Sequence, residues 1–200
     1  MTILFENYKL KIVNSCRRQA GFTFIELVMV LTLFGILSGI VLFNFNSFSS
    51  SISLQNFAQD IALQVKQAQS NSISGKASFS FLPPNVPSYG VYFDITKNTE
   101  FIIFADYNND KYFSVEDKEA LSRVIISQGN FLKSICPDLI FGSSSCHSSV
   151  SVIFKRPFPE AYFVDKEGNL LDGNLLIKVS SRDGKEKTIF LNTLGQISIK

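Results

Sequence analysis

The sequence predicts an α+β protein, with one long N-terminal helix packed on an antiparallel, β-rich head. Two patterns support this fold class. The longest apolar run, residues 22–43, continues into a stretch with helical spacing of apolar residues that reaches residue 75. From Ser78 onwards, short runs rich in Phe, Ile, Val and Tyr alternate with turn residues, as strands do. The predicted organisation is a basic leader, a transmembrane helix, an amphipathic helix and the head: residues 1–21, 22–43, 44–75 and 76–200.

The apolar run, residues 22–43, is long enough to cross a bilayer as a helix, which takes about 20 apolar residues. Its only charge is Glu26. Gly35 and Gly39 have the four-residue spacing at which small residues let membrane helices approach closely. A secretory signal peptide has a shorter apolar region followed by small residues at the cleavage site, and so does not fit. A plain signal anchor fits, but it leaves Glu26 unexplained.

Basic side chains ahead of the apolar run predict its orientation. Four of them precede the run, against Glu6 as the only acid: Lys9, Lys11, Arg17 and Arg18. Basic residues hold their end of a membrane helix in the cytoplasm. We therefore expect the rest of the chain to lie on the extracytoplasmic side.

The helical pattern continues beyond the apolar run. Residues 44–74 contain neither proline nor glycine. Apolar residues recur there every three or four positions, at Leu54, Phe57, Ile61, Val65 and Ala68. This spacing predicts an amphipathic helix that buries one face, and Gly75 is a suitable place for it to end.

Nine segments of the head are predicted as strands: residues 78–82, 89–94, 99–106, 122–127, 151–156, 160–165, 174–181, 186–192 and 195–200. The clearest hairpin lies around Asp183-Gly184, a pair that two-residue turns favour. Residues 134–149 are predicted as a loop. They contain Cys136 and Cys146, for which we expect a disulfide on the exported side, worth about 3 kcal/mol for so short a loop. The alternative is two free thiols.

The stretch Gly21-Phe22-Thr23-Phe24-Ile25-Glu26-Leu27, between the basic leader and the apolar helix, resembles the N-terminal signal of type IV prepilins and pseudopilins. The resemblance implies that a membrane-embedded prepilin peptidase removes the leader by cutting between Gly21 and Phe22. It also implies that the same enzyme N-methylates Phe22.

The resemblance gives Glu26 a role in assembly. A charge at the bilayer centre costs roughly 2.5–3.5 kcal/mol. Cleavage creates a positive amine on Phe22, and the amine of a neighbouring subunit would offset much of this cost by pairing with Glu26. We therefore expect Glu26 to dock and align subunits in a fibre. The alternative is an acid that is merely tolerated near the membrane surface.

The head resembles the H-type pseudopilin and fimbrial-T-like branch of this family, through residues 101–126, 151–164 and the terminal hairpin. That branch implies a helix packed against two antiparallel sheets. The expected function is a minor pilin or pseudopilin of a type II secretion pseudopilus or a type IV pilus. Its expected partners are prepilin peptidase, other pilins and the bacterial inner membrane, which it spans once with its head outside the cytoplasm. A membrane-anchored β domain that forms no fibre is a further alternative.

DNA capture during competence is the main functional alternative. Five basic residues lie near the last hairpin: Lys178, Arg182, Lys185, Lys187 and Lys200. The DNA-binding pilins of the family carry an arginine in their C-terminal tail, where this chain has Gln196, so an ordinary solvated sheet face is favoured. The sequence contains no glycine-rich phosphate loop and no nucleophile elbow, and predicts neither an enzyme nor a cofactor.

One loop has the spacing of a calcium site. Asp106, Asn108 and Asp110 fall at the opening ligand positions and Asp117 at the closing one. Lys111 occupies the position that favours glycine, and aspartate replaces the usual closing glutamate. A polar hairpin loop without a metal is therefore the favoured interpretation, and calcium is the alternative.

Overall fold

A computed structural model of the chain describes residues 21–76, 86–116, 119–138 and 145–200. These residues form one helix, α1 (Phe24–Ile73), and nine strands: β1 (Ser88–Asp94), β2 (Glu100–Asp106), β3 (Ala120–Ile125), β4 (Phe131–Asp138), β5 (Ser149–Phe154), β6 (Ala161–Asp165), β7 (Asn174–Ser180), β8 (Glu186–Leu191) and β9 (Ile197–Ile199). The chain divides into two compact units between Phe43 and Asn44. The first unit contains the apolar part of α1, and the second contains the rest of α1 and the strands.

The strands confirm the predicted α+β class, since they form two antiparallel sheets. The five-stranded sheet has the order β3-β2-β1-β5-β6, and the four-stranded sheet has the order β4-β7-β8-β9. Every pairing between these strands is antiparallel.

Helix α1 ends where the sequence predicts a stop. Gly75 has a φ of 65°, in the left-handed region that glycine enters without strain. Its N–H donates to the carbonyl oxygen of Ser72 (3.2 Å), and the N–H of Lys76 donates to that of Asn71 (3.1 Å). This pair of bonds is the Schellman arrangement, which satisfies carbonyl groups at a helix C-terminus.

The amphipathic part of α1 buries the predicted face. Leu54, Phe57, Ile61, Val65 and Ala68 are all at most 7% exposed. They belong to one contiguous hydrophobic cluster that also includes side chains from both sheets. The predicted stripe is therefore confirmed as the contact between the helix and the β-rich head.

Polar side chains near the end of α1 also fix it to the sheets. Gln69 Nε2 donates to the carbonyl oxygen of Pro159 (2.7 Å), and the buried hydroxyl of Ser72 donates to that of Phe154. Lys66 Nζ donates to Gln69 Oε1 (2.9 Å) within the helix and to the carbonyl oxygen of Gly195 (2.7 Å), just before β9. Each bond satisfies a polar group that would be costly to bury alone. The apolar periodicity alone did not predict these contacts.

A second, smaller hydrophobic cluster holds the segment that links β2 to β3. Phe113 of this segment packs with Ile102, Phe104 and Ile153 of the five-stranded sheet. The ring centroids of Phe113 and Phe104 are 5.5 Å apart. The N–H of Phe113 also donates to Ser151 Oγ (3.1 Å). The segment is thus anchored to the sheet by a ring and a hydrogen bond.

Eight of the nine predicted strands correspond to observed strands, and the candidate at residues 78–82 lies outside the described residues. Strand β4 was not predicted. The interpretation of residues 134–149 as a loop is wrong for 134–138, which belong to β4 and pair with residues 174–178 of β7, and for Ser149, which begins β5. Strand β4 contains Lys133, Cys136 and Pro137 and so lacks the alternation that marks a strand. Pro137 is tolerated there because β4 lies at the edge of its sheet.

The turn between β7 and β8 differs in detail from the prediction. The N–H of Ser181 donates to the carbonyl oxygen of Lys185 (2.9 Å), so three residues rather than two lie at the tip. Gly184 has a φ of 80°. The expected two-residue turn needs positive φ at both central residues, and Asp183 does not have it.

Candidate functional site

The apolar part of α1 exposes side chains in every direction. Residues Phe24–Leu42 have a mean hydropathy of 2.4, and none of this span is buried within the protein. Nineteen residues measure about 28 Å at 1.5 Å per residue, close to the ~30 Å hydrocarbon core of a bilayer. By length and composition, the span fits a membrane, where lipid or other helices would cover its surface.

Thr23 caps the N-terminus of this helix. Its Oγ1 accepts a hydrogen bond from the N–H of Glu26 (3.4 Å), and its carbonyl oxygen accepts one from the N–H of Leu27 (3.1 Å). A Thr followed three positions later by Glu is the sequence pattern of a capping box. The sequence analysis missed this role, although the Thr-Phe-Ile-Glu spacing was sufficient to find it.

The predicted cleavage site lies just outside the helix. Gly21 and Phe22 are not helical, and Phe22 is 84% exposed. The helix begins at Phe24, not at Phe22 as the sequence analysis expected. The bond between Gly21 and Phe22 therefore lies ahead of α1, between two exposed residues.

Glu26 lies in the first turn of α1, where a carboxylate interacts favourably with the positive end of the helix dipole. Its side chain is exposed. Among the described residues, the ion pairs are Arg123–Glu100 and Lys133–Glu186, so none involves Glu26. The carboxylate thus remains accessible to a charged group from another molecule.

Two further features of the span suit a membrane helix that packs against other helices. The hydroxyl of Thr32 donates to the carbonyl oxygens of Met29 (2.8 Å) and Val28 (3.1 Å), so this polar group is satisfied within the helix. Apart from the helix's own backbone, none of the described atoms lies within 4 Å of a Cβ built on Gly35 or Gly39. These two glycines leave a shallow surface against which another helix could pack.

The sequence of this segment matches a known family. Residues 16–42 match the family described as the prokaryotic N-terminal methylation motif. By this match, the N-terminal segment resembles that of type IV prepilin-like proteins. The match does not extend into the head, and no curated protein and no solved structure matches the chain significantly. The proposed likeness of the head to the H-type branch therefore stays a prediction.

The head contains a disulfide between Cys136 and Cys146, with an S–S distance of 2.00 Å. The N–H of His147 donates to the carbonyl oxygen of Ile135 (2.9 Å), in an isolated antiparallel bridge. This bridge places the two cysteines opposite each other. Residues 145–147 thus lie along the edge of β4 that does not face β7.

The loop with calcium-like spacing brings together only part of the predicted ligand set. Carboxylate oxygens of Asp106 and Asp110 approach each other, together with one of Glu119. The amide group of Asn108 instead donates to Asp110 Oδ2 (2.8 Å). Asp117 lies outside the described residues.

Glu119 is a candidate ligand that the sequence analysis missed, because a twelve-residue calcium loop would close two positions earlier. It is fully buried. Burial is the main cause that raises its pKa to about 7. The charges of Asp106 and Asp110 act in the same direction, and the nearby backbone N–H groups of Ser114 and Tyr107 act against it. Burial likewise raises the pKa of Asp106, partly offset by backbone hydrogen bonds to its carboxylate.

The basic residues considered for DNA binding are divided between two places. Lys178 on β7 pairs with Thr188 of β8, which also forms backbone hydrogen bonds with Lys200. Arg182 and Lys185 lie in the turn before β8, and Lys187 lies on that strand. A hydrogen bond and the charge of Lys133, together with the charge of Lys178, lower the pKa of Glu186, so an acid shares this sheet. DNA binding stays an alternative prediction, tested by a gel shift of duplex DNA at low salt.

Proposed function

We propose that this chain is a minor pilin or pseudopilin, a structural subunit that assembles through its N-terminal helix. The proposal is supported most directly by a methylation-motif match on an apolar helix that is exposed on every side. Residues 1–21 are the leader, 22–43 the membrane helix, 44–75 its amphipathic continuation and 76–200 the head. The fibre is either the pseudopilus of type II secretion or a type IV pilus.

The proposed path begins at the inner membrane. The basic leader holds the N-terminus in the cytoplasm, and the head lies outside it. Prepilin peptidase cuts between Gly21 and Phe22, in the exposed segment ahead of the helix, and methylates the new amine of Phe22. The methylated amine keeps its positive charge.

The proposed assembly contact joins two subunits. The Phe22 amine of one subunit pairs with Glu26 of its neighbour, which satisfies both charges in a medium of low dielectric constant. The exposed position of Glu26 and the lack of an ion-pair partner among the described residues support this role. The apolar helices then pack side by side, and the glycine pair allows close approach.

Processing can be tested by co-expressing the full chain with a prepilin peptidase and measuring the mass of the product. We expect a chain that begins at a methylated Phe22. Gly21→Ile should block cleavage, because a bulky side chain then precedes the cut bond. Gly39→Ala is the matched control, since a Cβ there meets no described atom within 4 Å. An intact leader in the co-expressed wild type would remove the basis of the proposal.

Docking can be tested separately with Glu26→Ala, measured by recovery of the protein in sheared fibres. We expect normal processing and at least a tenfold loss of incorporation, the equivalent of about 1.4 kcal/mol. Thr32→Ala is the control, because it removes a polar group that is satisfied within its own helix. Equal incorporation of the Glu26 variant and the wild type would refute the docking role but not the processing step.

A further inference from the structure

Three carboxylates converge where the β2–β3 segment meets the five-stranded sheet. Asp106 ends β2, Asp110 lies four residues later, and Glu119 immediately precedes β3. One carboxylate oxygen from each residue lies within 4.8 Å of the other two. Two oxygens on opposite sides of one calcium ion are about 4.8 Å apart, because each bond is about 2.4 Å long. The three oxygens are thus close enough to share one ion.

The most buried of the three also has an unsatisfied atom. Glu119 is 0% exposed. Its Oε2 accepts a hydrogen bond from the N–H of Ser114 (3.3 Å), but its Oε1 has no hydrogen-bond partner among the residues that the structure describes. A buried carboxylate oxygen without a partner is costly. This atom therefore points to a ligand, independently of the clustering.

Basic side chains of the described residues do not neutralise the cluster. Neither of their two ion pairs includes Asp106, Asp110 or Glu119. Lys111, inside the loop, instead places its Nζ 5.5 Å from the centre of the Tyr162 ring. Lys155 and Arg156 line a cavity beside Asp106 but form no ion pair with it. A cation from solution would supply the missing positive charge.

The backbone of the loop holds the carboxylates in place. Asn109 and Lys111 have φ values of 63° and 71°, a conformation that side-chain-bearing residues adopt only with local support. That support comes from Asp106, whose Oδ1 accepts from the N–H of Asn109 (2.5 Å) and whose Oδ2 accepts from that of Lys111 (3.2 Å). With Phe113 anchored on the sheet, the loop is already ordered for binding, which lowers its entropic cost.

We infer that Asp106, Asp110 and Glu119 bind one calcium ion, which ties the β2–β3 segment to the strands that flank it. An all-oxygen carboxylate set favours hard cations, and calcium tolerates irregular geometry better than magnesium does. Backbone carbonyl groups and water would complete its shell. The inference concerns the head alone and is independent of fibre assembly.

The test uses the purified full chain in detergent, treated with EDTA and then titrated with calcium chloride by calorimetry and thermal unfolding. Extracellular calcium modules have dissociation constants of about 0.1–1 mM. With a constant near 0.1 mM, ~5 mM calcium should raise Tm by about 5 °C or more. Absence of both heat and a Tm shift in the wild type would refute the site.

Three variants assign the ligands. Glu119→Gln and Asp110→Asn preserve shape and remove one charge each, so both should weaken calcium binding at least tenfold. Without calcium, Glu119→Gln should unfold at a higher temperature than the wild type, because one buried charge is gone. Glu116→Gln, an exposed acid of the same loop, should bind calcium like the wild type. Undiminished binding by the two ligand variants would overturn the assignment, and equal affinity for magnesium would overturn the preference for calcium.

Discussion

The two parts of helix α1 have the same backbone conformation and opposite relations to the rest of the protein. In Phe24–Leu42, none of the span is buried within the protein. In the second part, one stripe from Leu54 to Ala68 is buried against both sheets, and the opposite face is exposed. Helical structure therefore does not distinguish an anchor from a core element. What distinguishes them is whether the apolar residues surround the helix or follow one face of it.

The two parts of α1 should differ most in the loss of stability when an isoleucine is replaced by alanine. Ile61 is 0% exposed in the stripe, and Ile36 is 64% exposed in the apolar span Phe24–Leu42. Ile61→Ala should lower the free energy of unfolding of the head by about 2–5 kcal/mol, because it leaves a cavity. Urea unfolding of the full chain in detergent, followed by circular dichroism of the strands, measures this change.

Ile36→Ala is the matched control for Ile61→Ala. Its side chain has no packing within the protein to lose, so the change in free energy of unfolding should stay within about 0.5 kcal/mol. Similar losses in the two variants would mean that the apolar span contributes to the stability of the head, and the comparison would fail.

A second contrast compares glycines. A Cβ built on Gly90 of β1 would lie 2.7 Å from both the ring of Phe104 and the carbonyl oxygen of Val152, whereas one on Gly39 meets no described atom within 4 Å. Gly90→Ala should therefore destabilise the head by about 1–3 kcal/mol through overpacking. Gly39→Ala should leave the unfolding midpoint unchanged. A neutral Gly90→Ala would show that β1 and β5 can separate without loss.

The smallest expected effect concerns the hydrogen bonds that the head forms to one carboxylate, that of Asp165. Burial acts to raise the pKa of Asp165, but hydrogen bonds from the side chain and backbone of Asn169 and the backbone of Glu167 outweigh it and lower that pKa. The stabilisation is present above the ordinary value near 3.9 and is lost as pH falls through the lowered value. Unfolding midpoints between about pH 7 and pH 3 should show this decline.

Two variants isolate the contribution of Asp165. Asp165→Asn should lower stability at pH 7 by about 1 kcal/mol and flatten the decline in acid. Asn169→Ala removes the donor at 3.0 Å from Asp165 Oδ2, so the pKa of folded Asp165 should rise towards its ordinary value, and the decline should be smaller and end at a higher pH. An unchanged acid dependence in both variants would assign the decline to other groups.

The sequence predicted those features that depend on neighbours along the chain. The buried stripe follows from apolar residues every three or four positions, and the helix end follows from Gly75. Strand β4 depends instead on pairing with β7, whose residues lie 36 to 49 positions after their partners (Asp138 with Asn174, Phe131 with Ser180), and its own residues carry no strand pattern. Only the folded sheet reveals it.

The candidate carboxylate cluster likewise has a part that the sequence predicts and a part that only the fold reveals. Asp106 and Asp110 were recognisable from linear spacing, but Glu119 joins them because its carbonyl oxygen accepts a hydrogen bond from the N–H of Ala105, next to Asp106. Counting positions led to Asp117 instead. By contrast, the capping role of Thr23 was available in the sequence, because Thr-x-x-Glu is a local pattern.

The position of Thr23 has a consequence for the proposed maturation. The hydroxyl of Thr23 caps the helix and lies downstream of the proposed cleavage site. Removal of the leader would therefore leave the first turn intact. The new terminus would then be a tether of two residues, with a reach of about 7 Å. A terminus of this length can reach an adjacent subunit, while the helix that follows it keeps its conformation and can pack against other helices.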